Sequence, residues 1–68
     1  MNTAKNTQTI TLNDLYVGAT VTRHIPYAGM KEETVLSITP KGRRFIVTTT
    51  RGGYALAAAE RFGYGSVA

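Results

Sequence analysis

The stretch Thr34–Thr50, TVLSITPKGRRFIVTTT, decides the fold class. Arg43–Thr50 is dense in β-branched and aromatic residues, which fit a pleated, half-buried surface. Thr34–Thr39 alternates, with Leu36 and Ile38 sharing a face with Thr34 and Val35 pointing the other way. Between the two lies Pro40-Lys41-Gly42. Proline presets φ for the second position of a turn, and glycine accepts the positive φ that tight turns require. The stretch therefore predicts a β-hairpin with its tip at Pro40–Gly42.

Working outward, Ala19–Tyr27 (ATVTRHIPY) reads as a strand. Val21, Ile25 and Tyr27 share one face, and Thr20, Thr22 and His24 the other. Pro26 has no backbone donor and marks an edge or the strand's end. The strand that enters the hairpin begins near Lys31. Leu15–Val17, after Asn13-Asp14, reads as a short strand or one helical turn. Met1–Thr9 is polar and reads as a flexible N-terminal tail, with order beginning at Ile10. Downstream, Arg51-Gly52-Gly53 is a break. Tyr54–Phe62 (YALAAAERF) changes character, because its four alanines favour helix. Arg61 suits the last turn of such a helix and Gly63 the position just past it. Two turns cannot stand alone, so Leu56, Ala59 and Phe62 are expected to pack on the sheet. Tyr64–Ala68 either closes the sheet as a short strand or frays. The expectation is one mainly β domain over 10–68, a small antiparallel sheet with one short C-terminal helix.

Sixty-eight residues make a single domain, and a chain of that size buries only about 60% of its unfolded surface. Cysteine is absent and His24 is the sole histidine, so disulfides and thiolate metal sites are excluded. No metal or other cofactor is expected, and self-association is the natural extra support for so small a core. No apolar run approaches the roughly 20 residues of a membrane span. The N-terminus lacks the apolar segment of a secretory signal, and the expected location is the cytoplasm.

The formal net charge is +4. Lys41, Arg43 and Arg44 surround the predicted hairpin tip, and Arg51 follows the second strand. No acidic residue occurs between Thr34 and Ala59, while Phe45 and Tyr54 interleave with the cations. Cations that neutralise phosphates and aromatic faces that stack bases are what DNA or RNA binding needs. Lys41, Arg43, Arg44, Arg51 and Tyr54 are therefore the candidate nucleic-acid contacts. A charged tip is also what keeps any hairpin soluble. The alternative is a protein-interaction module, such as a phage-type inhibitor or adaptor of a host protein. It would use Tyr27, Tyr54 and Tyr64, since tyrosine joins a large apolar face to one polar handle. No residue is assigned to catalysis. His24 has no partners at the spacing of a triad, and Glu32-Glu33 reads as a solvated acidic turn. Gly52-Gly53 lacks the Lys-Ser/Thr of a phosphate loop. Asp14 and Glu60 have no partner in sequence.

The order of features resembles small SH3-like barrels. YVGATVT (Tyr16–Thr22) is similar to the first strand of such modules, and the central hairpin and a helical turn before a last strand also match. The resemblance covers Leu12–Tyr64 and implies a partly open SH3-like barrel. Plasmid-borne dihydrofolate reductases in that group use a Gln-Ile-Tyr segment at a tetramer centre. This chain has GGYAL there, so that chemistry is not implied. Members of the group bind RNA, DNA or peptides, which leaves function to be argued from sites.

Overall fold

The structure, a computed structural model, describes residues 8–68. Six strands follow one another: β1 Gln8–Thr11, β2 Thr20–Ile25, β3 Gly29–Lys41, β4 Arg44–Thr49, β5 Gly52–Ala57 and β6 Arg61–Val67. All neighbours are antiparallel, and the order in the sheet is β1-β6-β2-β3-β4-β5. The mainly β class holds. Met1–Thr7 lie outside the described residues, and Gln8 and Thr9, placed by sequence in the tail, pair with Gly65 and Tyr64.

β3 is the spine. Its thirteen residues pair with β2 over Gly29–Thr34 and with β4 over Val35–Lys41. In a flat sheet of six strands, β1 and β5 would lie roughly 24 Å apart. Yet Ile10 of β1 and Leu56 of β5 belong to one buried cluster with Val21, Val35, Val47 and Phe62. The sheet therefore curls over its own core, and among the described residues β1 and β5 do not pair, so it remains open. Leu15 and Ala19, from the segment between β1 and β2, complete the core.

The central hairpin forms where expected, one residue later than predicted. Lys41 faces Arg44, and Gly42-Arg43 make the turn. Gly42 takes φ 63° while Arg43 stays out of that region, as in a type II′ turn, which suits the twist of a hairpin. Pro40 sits inside β3 opposite Phe45. There β3 has a neighbour on one side only, so the missing N–H costs no second ladder bond.

Two expectations are corrected. The short C-terminal helix does not form. Tyr54–Ala57 belong to β5, Ala58-Ala59 turn, and Arg61 starts β6. Among the described residues the one helical element is a single 3-10 turn at Leu12–Asp14, where the Thr11 N–H donates to Asp14 Oδ2 at 2.8 Å. Alanine's preference for helix is a fraction of a kcal/mol per residue. Six cross-strand pairs between β4 and β5 outweigh it, and they bury Leu56 with Tyr54 half-buried on the same face. The second correction concerns β3. Val35 is buried and Leu36 exposed, because a bulge leaves Leu36 without a partner between the pairs Val35–Thr49 and Ser37–Thr48. The extra residue resets the period, so Val35 and Ile38 both face the core.

β6 passes so close to β2 that Gly65 has no room for a side chain. A Cβ there would sit 1.8 Å from the Thr22 carbonyl oxygen.

Candidate functional site

The densest polar arrangement is internal. Arg23 of β2 and Val21 share the core side of the sheet, and the Arg23 Nε donates to Glu33 Oε2. Glu33, read from sequence as solvated, is 2% exposed. Its other oxygen accepts from the Thr49 hydroxyl at 2.7 Å, and Thr49 Oγ1 accepts from the Arg51 N–H at 3.1 Å. The Arg23 guanidinium lies 4.2 Å from the Phe62 ring centre and 4.8 Å from that of Tyr54. A further N–H reaches the Phe62 carbonyl. Charge, hydrogen bonds and two ring faces thus compensate the desolvation of both ions. This cluster ties β2, β3, β4, β5 and β6 together. It also engages the ring of Tyr54, which packs edge-on against Phe62 with centres 5.1 Å apart. Tyr54, a candidate for stacking on bases, is a partner of Arg23.

The candidate cations divide. Lys41, Arg43 and Arg44 are exposed together at the Gly42-Arg43 turn. Arg51 lies in the turn at the far end of β4, roughly 20 Å away along six residues. Near the tip the structure adds residues that sequence reasoning placed elsewhere. The turn between β5 and β6 folds Glu60 back onto the hairpin, where its Oε1 accepts from Arg44 Nη1 at 3.3 Å and from the Ala57 N–H at 2.9 Å. Glu60 is therefore paired, contrary to the expectation. Arg61 follows directly, with its guanidinium 4.8 Å from the Tyr64 ring centre and one N–H on the Tyr64 hydroxyl. Reading Tyr54–Phe62 as helix hid this arrangement, because it made Arg61 a helix-end residue.

Tyr64 continues a second surface on the outer side of the sheet. It pairs with Thr9, and His24 pairs with Met30. One step beyond the Arg23–Gly65 pair, His24 falls beside Tyr64. Met30, His24, Tyr64 and Thr9 thus form an exposed row across four strands. Beyond this row, the loop Pro26–Ala28 joins β2 to β3. The Ala28 N–H donates to the Ile25 carbonyl at 3.0 Å, and Tyr27 takes φ 67° with its side chain fully exposed. That position of a type II turn normally holds glycine. Of the three tyrosines proposed for a protein interface, Tyr27 and Tyr64 face solvent and Tyr54 faces the core.

No family model, curated protein or solved structure matches this chain.

Proposed function

We propose that the protein is a non-enzymatic, cytoplasmic binding domain that holds single-stranded DNA or RNA across the outer surface running from the basic hairpin to Tyr64. Lys41, Arg43 and Arg44 would neutralise phosphates, and Arg61 with Tyr64 would provide the stacking platform. The observation that carries this reading is the Arg44–Glu60 contact, which brings Arg61 and Tyr64 to the side of the basic tip. Arg51 and Tyr54 are outside this surface. The curled open sheet with β3 shared between its halves supports an SH3-like reading of the fold, and the function is argued from the surface rather than from that likeness.

The test is titration with labelled single strands at two salt concentrations. Replacing Arg43 and Arg44 by alanine should weaken binding and flatten the salt dependence by about 1.4 in log–log slope, at roughly 0.7 per phosphate contact. Tyr64→Leu should cost about 1–3 kcal/mol with the slope unchanged. Absence of binding at low salt overturns the proposal. A second reading, a protein-interaction module of the phage-inhibitor type, rests on Tyr27. A fully exposed aromatic residue held at φ 67° is a strained feature of the kind that marks contact sites.

A further inference from the structure

The two outer edges of the sheet differ. β1 spans four described residues, and very short edge strands resist adding further strands. β5 is six residues long, GGYALA, without charge or proline and in unbroken register with β4. Its outer-facing side chains at Gly53 and Ala55 are a hydrogen and a methyl group, so nothing projects over the edge.

The backbone groups this edge offers can be assigned. Thr50-Arg51 is a two-residue turn flanked by the pair Thr49–Gly52. Residues that flank such a turn exchange both hydrogen bonds, and the pattern then alternates. Gly52, Tyr54 and Leu56 therefore direct their backbone groups to β4, and Gly53, Ala55 and Ala57 direct theirs to the open side. The Ala57 N–H, free of β4, is taken by Glu60. Among the described residues, Gly53 and Ala55 retain two donors and two acceptors.

We propose that this edge pairs with the same edge of a second copy of the chain, antiparallel about a two-fold axis at Tyr54. Only one register uses the groups of Gly53 and Ala55 and leaves the Ala57–Glu60 bond intact. It pairs Gly53 with Ala55 of the second copy, and Ala55 with Gly53, through four hydrogen bonds. Tyr54 then lies opposite its own counterpart, an aromatic cross-strand pair. Arg51 lies opposite Ala57 of the second copy, beside the Glu60 carboxylate that Arg44 of that copy also holds. Since Ala57 also faces Arg44, and Arg44 faces Lys41, the dimer sets Arg51 of one copy in a row with Arg44 and Lys41 of the other. The two-fold contact is self-complementary and closes at two copies.

The proposal is independent of nucleic-acid binding and is tested by sedimentation of the whole chain without nucleic acid, from micromolar to millimolar concentration. A monomer–dimer equilibrium is expected. Ala55→Pro removes one N–H per copy that has no partner among the described residues, and proline is tolerated at an edge. It should raise the dissociation constant about tenfold or more, as two of the four hydrogen bonds are lost. Ala55→Glu, on the exposed outer face of β5, should weaken the dimer by setting two carboxylates diagonally across the axis, and it serves as the test should Ala55→Pro fail to fold. A monomer at every concentration overturns the proposal. So does a dimer that neither substitution weakens, or growth beyond two copies, which would signal β5 pairing with β1.

Discussion

Glu33 and Arg23 are the two residues on whose mutual presence the interior depends. Removing one partner of a buried pair leaves an uncompensated charge, at a cost of about 3–5 kcal/mol, whereas replacing both by apolar groups of similar volume is often close to neutral. Urea unfolding should show Glu33→Ala strongly destabilised, and the double replacement Arg23→Met with Glu33→Met destabilised by less than the two single costs combined. Additive costs would mean that the ions are solvated independently. Tyr27 presents the opposite case, a residue that costs stability where it stands. A non-glycine residue in that conformation is strained by about 1–3 kcal/mol, and part of that gain is offset by the greater freedom of glycine in the unfolded chain. Tyr27→Gly should raise stability by about 1 kcal/mol in the same measurement. A loss would show that the ring packs against the domain in solution.

At the scale of elements, the bulge at Leu36 shows what a sequence pattern carries and what it does not. Alternation located β3 and β4 and the turn between them, because proline, glycine and β-branched residues act locally. It assigned the wrong face to Val35, because one unpaired residue reverses the parity of a strand and leaves no signal in residue types. β5 was misread for a related reason. Four alanines state a local preference, while the pairing that overrides it involves β4 and a half-buried Tyr54 held by Arg23 from β2. The candidate site was legible in part for the same cause. Lys41, Arg43 and Arg44 are neighbours in sequence and remain so in space, whereas Arg61 and Tyr64 reach them only through the turn that the helix assignment removed. Glu33 looked solvated because its partner lies ten residues away on another strand. Deleting Leu36 should leave the pairs Val35–Thr49 and Ser37–Thr48 in place with an unbroken alternation. The deletion variant should therefore keep the β-sheet circular dichroism spectrum and unfold cooperatively. Loss of cooperative unfolding would mean that the bulge itself is needed where β3 passes from β2 to β4.

At the scale of the molecule, the stability rests, among the described residues, on a core of eight buried apolar side chains drawn from every strand and on the internal Arg23–Glu33 pair with its partners. No subset of strands holds a complete core. Phe62 supplies one of the largest side chains in it and one face of the Arg23 sandwich, so β6 is indispensable. A chain ended at Glu60 should show no dispersed amide resonances and no cooperative thermal transition. A folded product would require the remaining strands to cover Val21 and Ile10 without it.

β6 is made after the other five strands, yet it lies between β1 and β2. During translation the first strand has no neighbour to join, and the inner edge of the second stays bare, until the ribosome has released the residues up to Val67. The hairpins of β2 to β5 can form early, at the pace of synthesis, but the sheet is sealed by a late insertion into its middle. Any pause or stop within the codons of β6 would therefore leave two strand edges exposed at once, making such a chain more prone to wrong pairing than one to which β6 has been added.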